Sequence, residues 1–294
     1  MRIALLTLLA MLAFAGNSVL TRIALAGSEA GPGTFTLIRL VSGAAILVWL
    51  AGPRRALSAG QTLSGLALLA YAGFFSFAYM TLTAGTGALI LFGMVQVTMI
   101  GAGLLGGERL GLAQLGGGAL ALTGLVALLG PGISAPSPFG AAMMALAGMA
   151  WGLYSLRGRG AGNATHATAG NFLQAAAMAV ILSIPVFVLW PESGLTPKGA
   201  ALAVASGAIT SGLGYAVWYT ALKGLTASTA GMAQLSVPAI AAILGATVLS
   251  EPVTLRFLAA SAVILGGVAM ATLAPKPAPR QVTHTGPTAR GRSS

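Results

Sequence analysis

Glu29, Glu108, Glu192 and Glu251 are the only carboxylates in this chain, which has no Asp, no Cys and two His. Catalysis by paired Asp and thiol chemistry are thereby excluded, and nothing suggests a metal or an organic cofactor. What remains is recognition by amides, aromatic rings and one isolated cation. Gln96 falls near the middle of one apolar run, and Gln234 lies four residues before Pro238 in another. Proline has no N–H, so the Gln234 carbonyl is freed beside an amide side chain. Together these groups offer donors and acceptors to a zwitterionic solute; alternatively, each Gln bonds a neighbouring helix.

Tyr71, Phe75 and Tyr79 recur at i, i+4 and i+8, which places them on one helix face. Ser211, Tyr215 and Tyr219 repeat that spacing, with Trp218 beside them. Rings around a cavity would favour apolar or aromatic side chains, and the end residues would gate it. The competing role is core packing and an interfacial belt. Trp151 and Tyr154 stand between those readings, whereas Trp49 and Trp190, at run ends, read as belt residues. Arg39 is the one charge well inside a run. It either holds a substrate carboxylate, or snorkels or caps carbonyls from a depth of ~10 Å. Glu108 and Glu251 each begin a run, where a carboxylate complements a helix dipole, and read as scaffold. No carboxylate lies mid-run. Facilitated diffusion of a neutral or zwitterionic solute therefore fits better than proton-coupled efflux of lipophilic cations, with coupling through an end carboxylate left open.

The elements that must position these residues are set by composition. Hydrophobic residues make up 56% of the 294 and charged residues 6%, with a mean hydropathy of +0.90. A soluble globule has about 25% charged residues. A soluble enzyme and a disordered chain are both excluded; a bilayer is the solvent that suits such a surface. The net charge of +11 does not point to nucleic acid, because its residues are scattered singly between apolar runs.

Cutting at charges, Pro and Gly clusters leaves ten segments: 3–25, 32–51, 61–82, 84–105, 111–130, 137–157, 167–190, 199–221, 226–249 and 254–273. Pro32, Pro53, Pro138 and Pro197 fall at segment edges, where proline begins or breaks helices. Arg2, an apolar run and Ala13-Phe14-Ala15 imitate a cleavable signal peptide. Cleavage would break the repeat described next, so the run is kept as a helix. With the N-terminus in the cytoplasm, that side holds Arg2, Arg54, Arg55, Arg109, Arg157, Arg159, Lys223, Lys276, Arg280, Arg290 and Arg292. The other side holds Arg22, Lys198 and Arg256. That bias puts both termini in the cytoplasm. Residues 275–294, with four Pro, four Lys/Arg and no acid, read as a disordered basic tail resting on anionic lipid.

The two halves echo each other. Glu108 and Glu251 are 143 residues apart, and so are Thr83-Ala84-x-Thr86 and Thr226-Ala227-x-Thr229. At an offset of 140 the Tyr71, Phe75, Tyr79 face matches Ser211, Tyr215, Tyr219, and Arg22 matches Arg157 at 135. Five helices is an odd number, so a second copy must be inverted across the membrane, as in secondary transporters.

Ten segments as five plus five resemble the drug/metabolite transporter superfamily, in particular its EamA-domain members. The resemblance rests on Gly-Glu-Arg-Leu at 107–110, Ser-Glu-Pro-Val at 250–253, Pro32 with Arg39, and Gly16-Asn17. Within the superfamily the chain looks most like the YddG-type amino-acid exporters. One departure is Val95 where family members often carry a second mid-helix proline, so the halves are expected to bend unequally. The resemblance implies an all-α integral membrane fold, with halves at 1–134 and 135–274 and a cavity between segments one, three, four, six, eight and nine. It further implies a multi-pass carrier in the cytoplasmic (inner) membrane that exports small neutral or zwitterionic metabolites, amino acids including aromatic ones. The alternative is a multidrug, sugar or purine efflux carrier coupled to an ion gradient. A membrane-embedded hydrolase lacks any marked constellation; an open channel would differ by not saturating. Small-residue pairs at Gly103/Gly107, Gly148/Gly152 and Gly207/Ser211 suit close helix packing, and either a monomer or a homodimer is compatible with them.

Overall fold

A computed structural model describes residues 2–106, 111–132, 135–158, 162–189, 194–225, 230 and 233–273. Gly107, Glu108, Arg109, Arg159, Trp190, Glu192, the Thr226–Thr229 match and the 275–294 tail lie outside them. All regular structure among the described residues is helical. The first part comprises α1 (Arg2–Ala26), α2 (Pro32–Ala51), α3 (Pro53–Ala59), α4 (Thr62–Tyr79), α5 (Ala84–Leu105) and α6 (Leu112–Leu129). The second comprises α7 (Pro138–Gly158), α8 (Ala164–Leu189), α9 (Pro197–Leu222), α10 (Ser236–Leu249) and α11 (Leu255–Leu273). Among the described residues, nine of these helices are long and apolar enough to cross a membrane; α3 and α10 are shorter.

The proline edges are where they were expected. Pro32, Pro53 and Pro197 each open a helix near N1, where their missing N–H is one of the unpaired donors anyway. Thr196 caps α9 by accepting from the Gly199 N–H at 3.0 Å. Three features depart from ten straight segments. The linker after α2 folds into α3, which buries Ala56 and rests its end on α8, where a side chain at Gly60 would meet Gly170 O at 2.7 Å. The middle of α9 widens into a π-helix over Ala205–Leu213. In the ninth segment the helix is interrupted at Leu235 and restarts at Ser236. Pro238 then sits in the first turn, where no intrahelical donor is needed. By contrast α5, with Val95 and no proline, runs unbroken.

The helices pack in a regular scheme. α2 lies on α8, α6 on α11 and α5 on α10. α7 fits between α4 and α5, and α1 fits between α9 and α10; α4 also meets α8, and α2 meets α9. Lipid tails are as apolar as leucine, so these contacts depend on close approach. A Cβ at Gly148 would meet Leu91 O at 2.8 Å, one at Gly152 would meet Thr98 at 2.9 Å, and one at Gly207 would fall on Arg39 O and Ser42 Oγ. The Gly148/Gly152 and Gly207 surfaces are thus spent on internal packing. Outward, Leu5, Leu8, Leu9 and Leu12 form an exposed stripe on α1, and Trp49 is 76% exposed. That suits a lipid-facing surface and a belt residue.

Candidate functional site

Six segments converge on one cavity of about 20 Å³. Phe14, Asn17 and Ser18 come from α1, Tyr71 and Phe75 from α4, and Leu91 and Phe92 from α5. Trp151 comes from α7, Thr210 and Tyr215 from α9, and Gln234 from just before α10. Such a volume admits a water-sized body and no metabolite. A solute therefore enters only when helices part.

The rings form a continuous path from one group of helices to the other. Tyr79 stands edge-on to Phe75 at 4.7 Å, and Phe75 meets Tyr71 at 5.3 Å. Trp151 bridges Tyr71, at 4.8 Å, to Tyr215, at 5.2 Å. Tyr215 continues to Phe14 and Phe172, both at 5.7 Å, and Phe14 to Trp218 at 6.0 Å. Beside the path lies a polar cluster. Asn17 Oδ1 accepts from Ser206 Oγ at 2.6 Å, and Thr210 Oγ1 lies 3.1 Å from the same oxygen and 2.8 Å from Ser206 O, so that its one proton is shared between them; all three residues are buried. Ser206 and Thr210 belong to the π-helical stretch of α9, which is where such widened turns commonly serve function.

Arg39 lies behind the rings. It is 1% exposed, which overturns snorkelling: the side chain turns inward, not to the membrane surface. Its Nε donates to Ser211 Oγ at 3.3 Å and its Nη2 to Tyr71 Oη at 3.1 Å. Its Cζ is 5.2 Å from the Tyr71 centroid and 4.9 Å from that of Phe75. Nη1 is buried with no hydrogen-bond partner.

Tyr79 closes one end of the ring path. It is fully buried and donates to Ala84 O at 3.2 Å. Next to it Arg22 Nε meets Glu251 Oε1 at 2.9 Å, while Arg22 Nη1 donates to Tyr79 O at 3.0 Å and Met80 O at 3.1 Å. Glu251 Oε2 accepts from the Ala84 N–H at 2.8 Å. Glu251 thus complements the dipole of α5, not of the helix that follows it. One ion pair ties the ends of α1, α4 and α5 to the α10–α11 loop. Near the α1–α2 turn, hydrogen bonds from Lys198 and then Thr196 hold the Glu29 carboxyl below its ordinary range.

Of the residues singled out from sequence, Tyr71, Phe75, Trp151, Tyr215 and Gln234 line the cavity. Tyr79 and Trp218 pack behind it, Ser211 holds Arg39, and Tyr219 is half-buried beyond the lining. Gln96 is half-buried one turn along α5 from Phe92. Phe14, Asn17, Ser18, Leu91, Phe92 and Thr210 also line the cavity and are not among the site residues the sequence singles out. The signal on α1 was legible: Phe14, Asn17 and Ser18 sit at i, i+3 and i+4 on one face of α1. Among the described residues no group of three His, Cys, Asp or Glu is placed to hold a metal.

Comparison with known proteins places this architecture. An uncharacterized protein of Pseudomonas aeruginosa is 51% identical over 278 residues, covering 94% of this chain and 96% of that protein. An uncharacterized transporter of Archaeoglobus fulgidus is 27% identical over 166 residues, covering 55% of this chain and 58% of its own length. A solved crystal structure shares the fold across 91% of this chain and 96% of its own, at a TM-score of 0.63 and 22% identity. The EamA-like transporter family itself matches residues 138–273, from the start of α7 to the end of α11. That match covers just under half of this multi-pass membrane protein, the whole of its second group of helices.

Proposed function

We propose that the chain is an alternating-access carrier of small neutral or zwitterionic metabolites, foremost amino acids with aromatic or large apolar side chains. It would export them across the cytoplasmic membrane in the manner of YddG-type exporters. The observation that carries this reading is the lining of the cavity: Phe14, Tyr71, Phe75, Phe92, Trp151 and Tyr215 surround the amides of Asn17 and Gln234, and no carboxylate is among them. Rings accept an apolar side chain, and amides and hydroxyls accept the polar end of the solute. Exchange of a proton for a lipophilic cation needs an acid in the site, and this lining lacks one.

Alternation between two faces rests on two inverted halves, 1–134 and 135–274, with both termini cytoplasmic. The packing scheme supports that reading. Exchange α1, α2, α4, α5 and α6 with α7 to α11 in order, and each principal packing pair maps onto another: α4–α7 onto α9–α1, α5–α7 onto α10–α1, and α4–α8 onto α9–α2. The α2–α8, α5–α10 and α6–α11 pairs map onto themselves. Two near-equivalent halves can trade packings of similar energy, which is what opening to either side demands.

The test is a substrate panel in liposomes containing the purified protein. Labelled Trp, Phe, Met, Thr and a lipophilic cation are compared over a range of concentrations. Saturable uptake of the large apolar amino acids, with little of the cation, is expected. Uptake of the cation alone would replace this reading with drug efflux.

A further inference from the structure

The wall behind the rings narrows the substrate further. Arg39 is a buried cation in a membrane interior, where an uncompensated charge is expensive. The faces of Tyr71 and Phe75 offset part of that cost, but rings do not neutralise a charge. The two carboxylates among the described residues are engaged elsewhere, Glu29 with Lys198 and Glu251 with Arg22. Nη1 keeps an unused donor.

The same guanidinium sets the polarity of the cavity. Tyr71 Oη accepts from Arg39 Nη2, so the phenol proton is directed to another acceptor, and Tyr71 lines the cavity. A hydroxyl whose oxygen already accepts from a cation is a strengthened donor. Asn17 Oδ1 is likewise engaged by the Ser206 hydroxyl, with the Thr210 hydroxyl beside it, and its amide N–H groups are its main free capacity. The Tyr71–Asn17 side of the lining therefore presents donors backed by a positive charge, and no anionic group among the lining residues is there to pair with an ammonium.

We propose that Arg39 and Tyr71 form the carboxylate-selecting element of this site: solutes are admitted by their carboxylate and not by their amine. Tyr71 makes the contact, and Arg39 is a positioning residue that supplies the field and orients the phenol. Aromatic monocarboxylates without an amine are then ligands too, and aromatic amines without a carboxylate are not. This proposal rests on the transport reading and deepens it.

The experiment follows Trp fluorescence of the full chain in lipid nanodiscs on titration with phenylalanine, 3-phenylpropanoate and 2-phenylethylamine. Trp151 touches both Tyr71 and Tyr215, and Trp151→Phe serves as the control that removes the signal. Saturable binding of the two carboxylates and none of the amine is expected. Tyr71→Phe keeps the ring and its packing, and it should weaken both carboxylates ~10-fold or more. Arg39→Gln should do the same, and Arg39→Lys, which keeps the charge, should recover part of the loss. Amine binding equal to that of phenylalanine overturns the proposal, as does carboxylate affinity unchanged in Tyr71→Phe. The two readings fail separately. Tyr71-dependent binding of 3-phenylpropanoate with no amino-acid flux in liposomes would remove the transport reading alone. Phenylalanine flux inhibited equally by the amine would remove carboxylate selection alone.

Discussion

At the scale of single residues, the site is built from groups that a bilayer penalises unless they find partners. Asn17 finds Ser206 and Thr210, and Arg39 finds Ser211, Tyr71 and two ring faces. Gln234 lies in the lining with its amide, beside the helix break that Pro238 imposes. Gln234→Ala should therefore lower amino-acid flux several-fold while membrane expression stays at the wild-type level; unchanged flux would reduce Gln234 to packing. The aromatic periodicity made Tyr71, Phe75 and Tyr215 legible in the sequence, because spacing of four defines a helix face. It did not say which ring of a column faces the cavity. Tyr79 belongs to the same face, yet it lies at the column's end, sealed under the Arg22–Glu251 pair. Asn17 was harder to see as lining, because a lone amide in an apolar run is equally a packing group.

At the scale of elements, glycine and the π-helical turn of α9 decide where these residues meet. Gly207 brings the α9 backbone against that of α2, and this contact delivers Ser211 to Arg39. Gly207→Val would put methyl groups where Arg39 O and Ser42 Oγ already are. Overpacking of that kind costs ~1–3 kcal/mol or more, and Tm of the purified protein should fall by several degrees. An unchanged Tm would show that α2 and α9 can separate without penalty. Helix positions and proline edges were legible because apolar length and Pro chemistry are local signals. The π-helix and α3 were not, since both follow from tertiary contacts: Gly207 on α2, and Gly60 on α8.

At the scale of the molecule, the narrow cavity is flanked at one end by an ion pair. Arg22 and Glu251 join four chain segments above Tyr79, so the proposed alternation requires that opening on that side break their contact. The chain has no cysteine, so Ser18→Cys places a single thiol in the cavity lining. With Glu251→Gln added, this thiol should react several-fold faster with a membrane-impermeant reagent supplied from outside. Equal rates would mean that the pair does not govern opening.

The central claim is that transport proceeds by alternating access without a proton-carrying carboxylate in the site. The most direct measurement is phenylalanine uptake into liposomes across a concentration series, with and without an imposed pH gradient, and with and without unlabelled substrate inside. Saturable uptake, faster with internal substrate and independent of the gradient, is the predicted result. Uptake that rises linearly with concentration, or that requires the gradient, would contradict it.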